Sequence, residues 1–187
     1  MLIDMVDDLL ARHELRVKEL DGIAFGQGPG SFTGLRIACG VTQGLAFAAG
    51  LRVVGVGTLL AMAEATGAER VVCCLDARMQ EVYHAAYDRS AGGWKTVCEP
   101  GLWSPVESPA LPHGLWVGCG SGFATYHDAL LERYDGHLSG LAADIAPHAR
   151  EIVRLGVSLF EQGKDTDAAF AAPIYIRDKV ALRTDER

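Results

Sequence analysis

GIAFGQGPGSFTGLRIACGVTQGLAFAAGLRVVGVGTLLAMA, Gly22 to Ala63, decides how this chain folds. Ile23 to Phe25 is a short apolar run that reads as a strand, and Gly26, Gly28, Pro29 and Gly30 form a glycine turn that stops it. Ser31 or Thr33 then caps a helix running from about Phe32 to Ala48, which Gly50 ends. Leu51 to Val56 follows as a second strand of the buried, parallel type, and Thr58 onward turns helical again. The result is a βαβα core with almost no charge, in which only Arg36 breaks the neutrality of the first helix.

A glycine turn between strand and helix raises the question of phosphate, because the open N–H groups of a helix start attract anions. The residues after Gly28 are Pro, Gly, Ser, Phe, Thr and Gly, so a Walker loop and its lysine are missing, and the GxGxxG spacing fails as well. This favours a structural turn over an anion site. Phe32 at the helix start suits contact with protein better than contact with nucleotide.

Working outward, Met1, Met5, Val6, Leu9 and Leu10 give an amphipathic stripe with Asp4, Asp7 and Asp8 mostly on the other side. A boundary between two halves is expected near Thr66 to Arg70, after a helix ending at Gly67, giving segments 1–68 and 69–187. From Val71 the pattern is a meander: strand to Asp76, hairpin at Ala77 to Gln80, strand to Tyr87, a turn at Arg89 to Gly93, and a third strand near Trp94 to Val97. A strand at Leu115 to Val117 and helices near Ala124 to Tyr134 and Pro147 to Glu161 complete the second half. The order is αβαβα followed by βββαβα.

The chain has 187 residues, 49% hydrophobic and 22% charged, with no apolar run of membrane-spanning length and no signal peptide, as expected of a cytoplasmic globule. Five cysteines in apolar or mixed contexts lack metal-ligand spacing, which favours buried free thiols in a reducing compartment. A net charge of −7 argues against unaided attraction of nucleic acid, because Lys and Arg on phosphate supply most non-specific affinity. The six histidines, His13, His84, His113, His127, His137 and His148, contain no HExxH pair and read as surface or satisfied groups. Ser31 lacks the GxSxG elbow of a hydrolase nucleophile, so capping accounts for it. No metal and no cofactor is expected.

GPGSFTGLR at 28–36, the small-residue helix with QGLA, and the VGVGTL strand end resemble the signature of the bacterial TsaB (YeaZ) family. LDARMQEVYHAAYDR, Leu75 to Arg89, resembles that family's central hairpin, and PIYIRDKVA, Pro173 to Ala181, its C-terminal P-x-Y-x-R element. The resemblance implies an α/β fold of the actin-like ATPase (ribonuclease-H-like) type, pseudo-duplicated, with its first half incomplete. The family begins with a β-meander, whereas MLIDMVDDLLARH begins inside the helix that follows it. That points to a misplaced start codon, a trimmed sequence or a truncated product, and it leaves the Ile23 strand without a neighbour.

The function implied is that of a non-catalytic accessory subunit in making N6-threonylcarbamoyladenosine in tRNAs that read A-starting codons. Its partners would be a TsaD-type catalytic paralogue, a second copy of itself when alone, and a TsaE-type ATPase in a larger complex, with tRNA reached only through the complex and no membrane. The partner interface is expected at Met5, Leu9, Phe32, Thr33, Leu35, Arg36 and Gly40. Asp76, Arg78, Gly118 and Gly120 are a vestigial ligand or contact cluster, where the bland alternative for Asp76, Arg78, Glu81 and Tyr83 is an ion-paired hairpin. The competing function is a stand-alone nucleotide-dependent enzyme or glycoprotease-like peptidase, against which Ala77, Arg78 and Met79 stand where such ATPases place glycines.

Overall fold

The computed structural model describes residues 2–90 and 92–177. In chain order the elements are α1 (Leu2–Arg12), β1 (Ile23–Gly28), α2 (Phe32–Ala49), β2 (Arg52–Gly57), α3 (Thr58–Thr66), β3 (Arg70–Asp76) and β4 (Val82–Ser90). There follow β5 (Gly93–Trp103), β6 (Trp116–Cys119), α4 (Ser121–Thr125), α5 (His127–Arg133), β7 (Leu138–Ala142), α6 (Ala149–Glu161) and β8 (Thr166–Asp167). Residues 179–187, read from sequence as a frayed end, lie outside the described residues, as does Met1.

The chain divides into two compact units, one formed by Met1–Thr58 with His148–Pro173 and one by Leu59–Pro147 with Ile174–Arg187. The α6 helix, which the sequence places with the second half, belongs to the first unit because it packs on β1 and β2. Gly156 makes that packing close: a Cβ there would sit 2.5 Å from the Cβ of Ala24. The first unit's sheet has the order β1-β2-β8, with β1 and β2 parallel from Ile23↔Val53 to Gly28↔Gly57. Among the described residues no strand pairs with the other edge of β1. Phe25, Cys39, Ala46, Val53, Ala168 and Ala171 form this unit's core.

One expectation about the glycine turn changes. Gly26 and Gly28 are strand residues of β1, paired with Val56 and Gly57 across a register irregularity, so the turn proper is Pro29 and Gly30. Gly28 has φ 113°, which a side chain would oppose. The helix boundaries follow from caps: the Ser31 hydroxyl accepts from Gly34 N–H, and Gly50 ends α2 in the left-handed region at φ 68°.

The second unit's sheet runs β5-β4-β3-β6-β7, antiparallel through the meander and parallel from β3 to β6 and β7. Strand alternation separates its core into two clusters. Val72 and Cys74 join Val82, Ala86, Trp116, Phe123 and Tyr134, whereas Val71 and Cys73 join Leu59, Met62, Ala85 and Tyr87. The third strand of the meander extends to Trp103, and the expected helix at 124–134 is two short helices meeting at Tyr126. All five cysteines are free; four are buried and Cys98 is half-buried. Burial pushes the Cys73 and Cys74 thiols up, which holds them protonated and unreactive.

Candidate functional site

The residues that sequence reasoning singled out fall into two places, one in each unit. In the first unit, α1 carries the apolar stripe its sequence dictates, yet none of its described residues is buried. Met5 is 68% exposed and Leu9 58%, with Leu2 and Ile3 exposed beside them. The α2 helix has two contrasting faces: Cys39, Thr42 and Ala46 face the core, and Thr33, Arg36, Ile37, Gly40, Gly44 and Phe47 face out at helical spacing. Phe32 is half-exposed, with the Arg36 guanidinium 3.2 Å above its ring centroid. Leu35 differs from the others by being half-buried.

Gly40 and Gly44 have open space where a Cβ would stand, with no heavy atom within 4 Å. Nothing in the unit's own packing therefore calls for glycine there, and each costs about 0.5–1 kcal/mol of helix stability relative to alanine. The outer face of α2 is thus flat at its middle and bulky at its ends.

In the second unit, Asp76 stands at the carboxyl end of β3 and Gly120 at that of β6, the end of a parallel sheet where ligands bind in α/β proteins. Asp76 is engaged within the protein: one carboxylate oxygen accepts from Arg78 N–H at 2.9 Å and from the Tyr126 hydroxyl at 3.2 Å. Its own N–H donates to Ser121 Oγ at 3.1 Å, and the Arg78 guanidinium lies 3.7 Å from its other oxygen. Desolvation first, and then the Asp76 hydrogen bond, push the Tyr126 hydroxyl above its ordinary pKa. Ser121 and Tyr126 were not legible in advance, since they lie 45 and 50 residues from Asp76 with no local signal.

The glycines beside it serve packing. A Cβ on Gly118 would meet Phe123 at 2.7 Å and Leu141 at 2.8 Å, and one on Gly120 would meet the Cys74 carbonyl at 2.7 Å. Close packing against Phe123, Leu141 and the Cys74 carbonyl is thus enough to require glycine at both positions. The hairpin carries the Asp76–Arg78 ion pair, but strand alternation does not extend through its tip, because Arg78, Met79 and Gln80 leave the strand conformation, with φ of 63°, 53° and 59°.

The histidine reading needs correction at two positions. His84 is fully buried on β4 with neither ring nitrogen hydrogen-bonded, and His137 Nδ1 is buried without a partner. Among the described residues no group of three His, Cys, Asp or Glu side chains is placed to hold a metal ion. A cavity of about 380 Å3 opens beside Ala68 and Ser139, but its cation, Arg70, is already paired with Asp88 at 3.0 Å. Among the described residues no helix is long and apolar enough to cross a membrane.

Comparison with known proteins adds to this geometry. Residues 1–183 match the family model described as TsaD: tRNA N6-adenosine threonylcarbamoyltransferase. The chain is 34% identical over 97% of its length to the tRNA threonylcarbamoyladenosine biosynthesis protein TsaB of Escherichia coli K12, spanning 81% of that protein. It is 35% identical over 97% of its length to the TsaB protein of Haemophilus influenzae, spanning 80% of it. A Pseudomonas aeruginosa protein described as uncharacterized, with similarity to peptidase YEAZ, superposes with a TM-score of 0.86 at 36% identity, covering 94% of this chain and 82% of that one. The structure described as YeaZ from Pseudomonas aeruginosa gives 0.84 at 37% identity, covering 93% and 82%.

Proposed function

Because the chain belongs to the TsaB (YeaZ) family, whose named members are tRNA threonylcarbamoyladenosine biosynthesis proteins, we propose that it is a non-catalytic subunit that docks on a TsaD-type threonylcarbamoyltransferase and activates it. The observation that carries the reading is the unsatisfied apolar surface of the first unit. An 11-residue amphipathic helix with no buried residue, and the next helix in sequence with two glycines on its outer face, each offer a surface suited to packing against a partner's helix. Close helix approach wants small residues at the crossing and bulky apolar ones around it, which is the order Phe32, Ile37, Gly40, Gly44, Phe47.

Burial of these side chains at about 25 cal/mol per Å2 of apolar area supplies a driving force for assembly. The same face serves a second copy of the chain when the catalytic subunit is absent, so homodimer and mixed complex compete. Non-catalysis is supported by the state of the second unit's cluster, where Asp76 is spent on Arg78, Ser121 and Tyr126 and the nearby glycines accommodate the core. A TsaE-type ATPase joins the larger complex. With a net charge of −7, the chain meets tRNA through its partners, in the cytoplasm.

Light scattering after gel filtration, on this chain alone and mixed with the same organism's TsaD homologue, tests the proposal. We expect a homodimer mass alone and conversion to a mixed complex on addition of the homologue. Separate elution at micromolar concentrations would remove the main support for an accessory role.

A further inference from the structure

The tip between β3 and β4 carries three successive non-glycine residues in the left-handed region, Arg78, Met79 and Gln80. That conformation sets Cβ against the following carbonyl, and a run of three persists only where surrounding contacts over-determine it. Within the hairpin, Ala77 N–H donates to Glu81 O at 2.9 Å and Glu81 N–H to Arg78 O at 3.1 Å. Such a closed hairpin turn favours positive φ at its two central residues, Met79 and Gln80, and Asp76 Oδ1 accepts from Arg78 N–H at 2.9 Å, but all three contacts are local to the hairpin.

Further contacts come from outside the hairpin, from Arg177, about a hundred residues further along the chain and in the same compact unit. Its guanidinium donates to Ala77 O at 2.9 Å, reaches Arg78 O at 3.5 Å and pairs with Glu81 Oε2 at 2.7 Å. A further N–H points at Met79 Sδ at 3.1 Å. One side chain therefore engages four of the five residues from Ala77 to Glu81. It is 11% exposed, whereas the Arg78 side chain it holds outward is 89% exposed. A planar fork of donors can satisfy two carbonyls and a carboxylate together, which an ammonium on a flexible stem does poorly.

We propose that Arg177 is a latch that holds the β3–β4 tip in its left-handed, outward-presenting conformation. The segment Ile174–Arg177 and the tip form one conformational unit: while the guanidinium is seated, Arg78, Met79 and Gln80 are presented rigidly to solvent, and its withdrawal lets the tip relax to ordinary right-handed or extended backbone. Anything that draws the C-terminal segment away would thereby change the surface the tip offers.

Trypsin reads this directly, because Arg78 is the exposed residue at the tip. In the full chain carrying Arg177→Gln, we expect cleavage of the Arg78–Met79 bond, followed by mass spectrometry, to accelerate at least tenfold. Amide hydrogen exchange should lose protection at 77–81 while the β3 and β4 interiors keep theirs. Unchanged cleavage would overturn the proposal, and so would equal acceleration after Arg70 and Arg89, which reports global unfolding. Glu81→Gln removes the ion pair but leaves the carbonyl bonds, and should give a smaller acceleration at the same bond. A double-mutant cycle supplies an independent reading: Gln80→Gly tolerates positive φ without the latch, so Arg177→Gln should lower the thermal midpoint less in that background. Equal lowering in both backgrounds would show that Arg177 bears no relation to the strain.

Discussion

At the scale of single residues, His84 makes the sharpest physical statement. Its ring is fully buried, stacks on Tyr134 with centroids 6.3 Å apart and has no hydrogen-bond partner on either nitrogen. Burial, reinforced by the positive charge of Arg133, pushes its pKa down to about 4 from the ordinary 6.5. The unfolded chain therefore binds a proton that the folded chain refuses between those two values, so stability rises with pH across that window. This contribution is complete above pH 6.5 and is lost as pH falls to 4, amounting to about 3 kcal/mol. Urea unfolding at a series of pH values should show the loss, and His84→Phe, which keeps a ring and removes both unpaired nitrogens, should flatten it. An unaltered slope in the variant would assign the acid sensitivity to other groups. The position was readable in advance: His84 sits between Val82 and Ala86 at the spacing that turns one face of a strand inward. Reading every histidine as a surface or satisfied group hides that signal.

At the scale of elements, the contact of α6 with β1 rests on a missing side chain. Gly156→Ala would place two Cβ atoms 2.5 Å apart, neither with a torsion to rotate aside, so the helix itself must move. We expect a destabilisation of about 1–3 kcal/mol in chemical denaturation. A variant as stable as the parent would mean that α6 is held less closely than its geometry implies. The same element shows where sequence reading runs out. The run from Gly22 to Ala63 is legible because glycines, caps and an uncharged helix are local facts, and β1, α2, β2 and α3 follow in that order. Helical periodicity finds α6, but nothing within it says that it leaves the neighbouring strands and returns to β1. The two-residue β8 exists only as a partner to Arg52 and Val53, and β7, LSGLA, has no alternation to announce it. The candidate cluster divides in the same way: the exposed Met5 and Leu9 follow from an amphipathic pattern, whereas the Asp76–Tyr126 and Arg177–Glu81 pairs are made by tertiary structure across 50 and about a hundred residues.

At the scale of the whole molecule, the docking proposed for the first unit sets folding against assembly, and that opposition would separate a docking face from an ordinary surface. Met5 and Leu9 are mostly exposed, so replacing both with lysine removes little internal packing and should leave the chain's own stability within about 0.5 kcal/mol. Gly40→Ala and Gly44→Ala go further: with open space at each Cβ and ordinary helical backbone, each should stabilise the isolated chain by about 0.5–1 kcal/mol. If α1 and α2 meet a partner's helices, all of these changes weaken assembly, the lysines by burying charge and the alanines by holding two backbones apart. Denaturant midpoints of the chain alone, set against light scattering with the catalytic homologue, read both quantities. The expected pattern is alanine variants that unfold at higher denaturant yet form less complex, and lysine variants of normal stability that form none. Variants that gain stability and assemble as well as the parent would place the contact elsewhere, because glycines on a helix face that neither its own core nor a partner approaches have no physical reason to stay.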